Sequence, residues 1–89
     1  MSAQLQDRAK RFTKLPVPKS PDYVPGSMAE RFIATYASDG KLQPDDETRE
    51  LLEMIVVEAE DMVSQKTGVD QAYFRESAEI LRAMLGEMA

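Results

Sequence analysis

The stretch that decides the fold is residues 44–66, which read PDDETRELLEMIVVEAEDMVSQK. Its first residues are a proline and three acids, which suit the first turn of a helix and its positive dipole end. A core stripe follows at intervals of three and four residues, formed by Leu52, Ile55, Ala59 and Met62. Other faces are also apolar, at Leu51, Met54, Val56, Val57 and Val63. The stretch therefore predicts a long helix, ended by Gly68, that contacts neighbours on more than one side.

Two further helices are predicted, one on each side of this stretch. Ser27 and Glu30 have the spacing of a capping box, and Asp39-Gly40 supplies a left-handed stop, which together predict a short helix over about 27–38. Asp70 is a candidate N-cap for a third, medium helix whose apolar face contains Phe74, Ala78, Leu81, Leu85 and Met88. Residues 3–12 are loosely periodic, but so short a helix is marginal alone in water. The predicted class is all-α, with a short helix, a long central helix and a medium third helix.

Charge and proline divide the chain of 89 residues into two parts. Residues 1–20 carry a net charge of +4 and residues 21–89 carry −9, which together give the overall −5. Four of the five prolines fall within residues 16–25, and proline favours extended backbone at and before its own position. We therefore expect a basic, proline-rich arm over residues 1–25, extended or partly disordered, followed by an acidic helical domain over residues 26–89.

Most kinds of enzyme chemistry lack their usual residues here, since the chain contains no cysteine and no histidine. Residues 39–50 resemble a calcium loop in their acids, but Lys41 and Pro44 stand where a ligand and a glycine are required. There is no glycine-rich phosphate loop. We expect no catalytic residue, no metal and no cofactor. The absence of a signal peptide or an apolar run long enough for a bilayer predicts a soluble intracellular protein, cytoplasmic or nuclear.

The order of the predicted helices resembles that of the histone fold. Residues 40–47, followed by Leu51-Leu52-Glu53-Met54-Ile55 and Val57-Glu58-Ala59, are similar to the loop and central helix of histone-fold subunits in TFIID and in the CENP-S/CENP-X complex. In those proteins the central helix crosses the same helix of a partner. The resemblance implies a heterodimer that builds a larger assembly, without wrapping DNA. A self-contained three-helix bundle is the other architecture that the pattern allows.

The expected function is that of a non-catalytic subunit that packs its helices against a partner chain, either a second copy or another protein. The residues predicted to bind that partner are Leu52, Ile55, Val56, Ala59, Met62, Phe74, Leu81 and Leu85. The helical domain, being acidic, is not expected to bind nucleic acid. The arm is expected either to contact something acidic, or to be a solubilising tail, through Arg8, Lys10, Arg11 and Lys14.

An alternative function is that of an acidic helical inhibitor, or antitoxin-like decoy, that occupies a basic site on a target protein. Four carboxylates would form its acidic face, Glu50, Glu53, Glu60 and Asp61. The simpler interpretation of such a face is a solvated helix surface.

Overall fold

The structure of the chain is a computed structural model, which describes residues 2–19, 26–43 and 45–88. Most of these residues lie in four helices, namely α1 (Ser2–Phe12), α2 (Met28–Asp39), α3 (Asp46–Gln65) and α4 (Gly68–Met88). The described ranges contain no strand. The predicted all-α class is therefore confirmed.

The ends of α2 and α3 follow from local signals in the sequence. The Ser27 hydroxyl accepts a hydrogen bond from the Glu30 N–H at 3.3 Å, and the Asp45 carboxylate accepts one from the Thr48 N–H at 2.7 Å. Gly40 ends α2 in the left-handed conformation, with φ +76°, and its N–H donates to the Tyr36 carbonyl. Because these bonds satisfy helix-end groups that have no partner within the helix, both helices lie within two residues of their predicted bounds. Pro44, predicted as a starting residue of α3, lies outside the described residues.

The last helix is longer than the sequence predicts. α4 has 21 residues against 20 in α3, so the prediction of a medium third helix was wrong. Lys66, with extended backbone, ends α3, which leaves Gly68 to open α4 with φ +66° two residues before the predicted cap. Gly86 does not shorten the helix, because Met84 is buried and Leu85 is partly buried in the last turns.

The first helix differs most from the prediction. Ser2–Phe12 forms α1, which packs against α2 and α4 and buries Leu5, Ala9 and Phe12. A short helix that is marginal in water is stabilised here by burial of its apolar face. The predicted extended arm therefore does not include residues 2–12, which belong to the helical core.

The core is formed mainly by the last three helices. Its largest fully buried side chains are Tyr36, Ile33, Leu52, Ile80, Leu81, Met84 and Val56. The most extensive helix pair is α3 with α4. Residues 13–15 form a turn after α1, and residues 16–19 have no regular secondary structure. Residues 20–25, the end of the predicted arm, lie outside the described residues.

Candidate functional site

A groove of about 490 Å³ runs between α2, α3 and α4. Its apolar lining includes Phe12, Met28, Leu51, Met54, Met62 and Phe74. Met28 is 44% exposed and Met54 is 61% exposed. Large apolar side chains left at the surface beside a concave opening are typical of a site that binds another molecule.

The α3 wall of the groove follows from the many-sided apolar pattern of that helix. Leu51, Ile55 and Met62 line the groove at intervals of four and seven residues, which places them along one side of the helix. Val56, another of the extra apolar residues, is buried in the core instead. Val57 is 64% exposed and is not among the groove residues. The predicted need for neighbours on several sides of α3 is therefore met only in part by the chain itself.

Three aromatic rings in contact, one pair tilted and the other edge-to-face, form the end of the groove nearest α1. The ring centroid of Tyr73 lies 4.7 Å from that of Phe12 and 5.6 Å from that of Phe74. The Tyr73 hydroxyl donates to a Glu30 carboxylate oxygen at 2.6 Å, and the other oxygen of Glu30 accepts from the Gly26 N–H at 2.9 Å. Glu30 thus joins the start of α2 to α4. The backbone N–H that donates to it belongs to Gly26, one residue before the Ser27 N–H that a capping box predicts as the donor.

The rim of the groove is acidic. Glu58 and Asp61 are exposed on the α3 side, and Glu30 lies at the α2 side. Asp61 accepts a hydrogen bond from the Gln65 amide at 2.9 Å, which leaves its negative charge in place. An apolar floor with a negative rim suits a ligand that combines apolar and positively charged groups.

Of the residues predicted to bind a partner, five are buried within the chain itself. These are Leu52, Ile55, Val56, Ala59 and Leu81. Met62, Phe74 and Leu85 are partly buried. The groove brings together Ile55, Ala59, Met62 and Phe74, whereas Leu85 lies at a separate depression beside Arg82. In this conformation the first five side chains are covered by the chain's own helices, whereas Met62 and Phe74 are partly accessible in the groove.

The predicted acidic face is exposed, but its members lie in different surroundings. Arg82 donates to both carboxylate oxygens of Glu60, at 2.7 and 2.8 Å, and this hydrogen bonding lowers the pKa of Glu60. Glu53 borders the same depression as Arg82, while Asp61 borders the groove. Glu50 is exposed near the start of α3. The four carboxylates therefore do not converge on one site.

The basic residues of the predicted arm are also divided. Arg8 donates to Glu76 and Glu79 on α4, and these hydrogen bonds raise the pKa of Arg8 and stabilise its charge. Lys10, Arg11 and Lys14 are exposed. Arg8 therefore holds α1 in place, and the other three bases remain at the surface.

The serine hydroxyls of the groove serve the backbone of the helices. Ser27 caps α2, and Ser77 donates to the Phe74 carbonyl at 2.8 Å. Among the described residues, no group of three or more acids is placed to hold a metal ion. Within the same ranges, no helix is both long and apolar enough to cross a bilayer.

The predicted partner-binding set did not include Met28, Leu51 and Met54, which line the groove. One signal in the sequence does point to it, a set of methionines on the last two helices that suits an adaptable contact surface as well as core filling. Met54 and Met62 line the groove, whereas Met84 is buried in the core. Composition could not separate the two uses, because methionine suits both.

Comparison with known proteins gives no family for the chain, so the geometry of the groove is the basis for proposing a function. No protein-family model, no characterised protein and no solved structure matches it.

Proposed function

We propose that the chain is a non-catalytic protein–protein interaction subunit, and that its groove receives an apolar segment of another polypeptide. One observation carries the proposal, the open apolar groove between α2, α3 and α4 with Met28 and Met54 exposed at its edge. Fully burying a methionine side chain is worth about 1.5–3 kcal/mol. Covering both methionines therefore supplies a driving force for association.

The rest of the chain supports binding to a preformed surface. Buried apolar residues from all four helices form one continuous cluster, which includes Phe12, Ile33, Leu52 and Ile80. No buried side-chain nitrogen or oxygen in the described residues lacks a hydrogen-bond partner. A core of this kind favours folding before binding.

The test uses two residues of α3 that match in exposure and differ in position. Met54 lines the groove, whereas Val57, equally exposed, does not. A photo-crosslinking amino acid at position 54 should capture a polypeptide in cells of the native source, and the same group at position 57 should capture much less of it. Met54→Glu should abolish that complex when the partner is purified with the chain. Absence of any crosslink specific to position 54 would contradict the proposal.

A histone-fold-type heterodimer is a particular form of this proposal, and the same pair of residues distinguishes it. A partner helix that crosses α3 would cover Met54 and Val57 together, since both are exposed on that helix. In that case Val57→Glu should weaken the complex as much as Met54→Glu. A segment confined to the groove predicts that Val57→Glu has little effect.

The acidic decoy is supported by the exposure of Glu50, Glu53 and Asp61, which carry negative charge at the surface. Glu60 contributes less, because Arg82 already neutralises it. Binding of this kind should fail in the triple variant Glu50→Gln, Glu53→Gln, Asp61→Asn and should survive Met54→Glu. The groove proposal predicts that Met54→Glu is the more damaging change.

A further inference from the structure

We propose that the groove binds residues 14–19 of a second copy of this chain, so that two copies form a symmetric dimer. This inference rests on the proposed function, in that the groove must bind a polypeptide segment, and it names that segment. The segment reads Lys14-Leu15-Pro16-Val17-Pro18-Lys19 and follows α1.

The first argument is where the exposed apolar side chains lie. Within the described residues, the large hydrophobic side chains that are exposed are Leu15, Val17, Met28, Met54 and Val57. Leu15 and Val17, at 41% and 58% exposed, belong to the segment. Met28 and Met54 belong to the groove. Docking the segment into the groove therefore covers four of these five side chains in one contact.

The second argument is charge. Lys14 and Lys19 bracket the apolar part of the segment and are exposed. Glu58 and Asp61 are exposed at the rim of the groove. A positive segment and a negative groove on the same chain attract each other between copies, and salt should weaken that attraction.

The third argument is conformation. Pro16 and Pro18 restrict the backbone of the segment, so that less conformational entropy is lost when it binds. Proline-rich segments commonly dock in grooves lined by aromatic rings. Here Phe74 is the partly exposed ring of the groove, whereas Phe12 and Tyr73 are buried in the core beneath the lining.

The fourth argument is position. Phe12 is both the last residue of α1 and part of the groove lining, so the segment starts at the edge of its own groove. Pro18 is buried within its own chain, whereas Leu15 and Val17 remain exposed and are the side chains of the segment that would enter the groove of a second copy. A two-fold axis near Phe12 lets each segment cross to the other copy, which gives a closed contact between identical surfaces.

Sedimentation velocity over a concentration series of the full chain tests the dimer. The unmodified chain should show a reversible monomer–dimer equilibrium that weakens as salt is raised. Met54→Glu in the groove and Val17→Glu in the segment should each weaken it about tenfold or more, the effect of about 1.4 kcal/mol. Val57→Glu is the matched control, since Val57 is exposed but lies outside both surfaces, and it should leave the equilibrium unchanged. Circular dichroism of each variant checks that the helices are kept.

Mixing the two damaged variants gives the decisive result. Neither Met54→Glu nor Val17→Glu alone retains an intact segment–groove contact, but a mixture restores one, since the first still has its segment and the second its groove. A heterodimer in the mixture that exceeds either variant alone supports the proposal. A chain that stays monomeric at every concentration overturns it, as does a dimer that survives Val17→Glu or is lost in Val57→Glu. If the chain is monomeric and position 54 crosslinks to a different protein, the second-copy inference fails while the proposed function stands.

Discussion

The guanidinium of Arg8 in α1 and the carboxylate of Glu76 in α4 form a two-point ion pair, with Nε to Oε2 at 2.7 Å and Nη2 to Oε1 at 2.8 Å. The same Nη2 also donates to Glu79 at 2.6 Å. Both partners in the Arg8–Glu76 pair have side chains that are 32% exposed. Paired geometry of this kind is more specific than a single-point surface ion pair. It joins a basic first helix to an acidic last helix, residues that are far apart in sequence.

Replacing this arginine should loosen α1. Arg8→Ala is expected to lower the free energy of unfolding by about 1 kcal/mol, the upper end of what partly exposed ion pairs contribute. Arg49→Ala is the control, because the ion pair between Arg49 and Asp46 lies within α3, one helical turn apart, and the change should cost a few tenths of a kcal/mol. Urea denaturation measures both variants, and hydrogen exchange should show faster opening of α1 in Arg8→Ala alone. Equal losses in the two variants would argue that the pair does not anchor α1.

Acid should remove the same contribution. Hydrogen bonds from Arg8 hold the pKa of Glu76 below its ordinary value of 4.5. A carboxylate whose folded-state pKa is depressed stabilises the fold above its unfolded-state pKa, and that stability is lost as the pH falls through the folded value. The stability difference between the unmodified chain and Arg8→Ala should therefore be full near neutral pH and shrink below about pH 4.5. Urea denaturation at the two pH values measures it, and a difference that stays constant would be evidence against this linkage.

The contrast between α1 and α2 shows which parts of the fold the sequence can predict. Ser27 and Gly40 act on neighbouring backbone groups, so the ends of α2 can be predicted from residues beside them. Phe12 is buried against Tyr73, whose ring is 4.7 Å away in space and about sixty residues away along the chain. No local pattern contains that contact. The sequence therefore marks residues 3–12 as a marginal helix, and only tertiary packing makes it part of the core.

The candidate site likewise combines features that the local sequence predicts with features that only tertiary packing decides. Periodicity shows that α3 carries apolar residues on several faces, but it does not show which of those faces the chain covers. Val56 and Val57 are adjacent and chemically identical, yet the first is buried and the second is 64% exposed. Met54 lines the groove and is 61% exposed, so the neighbouring helices do not cover it. That exposure depends on how the helices pack together, which no single segment of the sequence determines.

Two glycines should respond in opposite ways to the same substitution. Gly40 has φ +76°, and a Cβ there would lie 3.3 Å from the Gln6 side chain, which itself donates to the Ala37 carbonyl. Gly40→Ala should therefore destabilise the chain by about 1 kcal/mol. A Cβ at Gly86, inside α4, would meet nothing within 4 Å, so Gly86→Ala should stabilise it by about 0.5–1 kcal/mol. Thermal melts of the two variants should shift in opposite directions, and a shared direction would refute the argument from local geometry.

Variants of two tyrosines distinguish an effect on the stability of the core from an effect on the shape of the groove. Tyr73 and Tyr36 are both buried, and each hydroxyl donates to a glutamate, Glu30 at 2.6 Å and Glu87 at 2.5 Å. Removing either hydroxyl should cost about 1 kcal/mol of stability. Of these four residues, only Tyr73 and Glu30 line the groove. Tyr73→Phe should therefore also weaken self-association severalfold by loosening the start of α2. Tyr36→Phe should leave self-association unchanged. Urea denaturation and sedimentation velocity measure the two effects separately. If both variants weaken association alike, the change reflects general stability, and Glu30 has no role in shaping the groove.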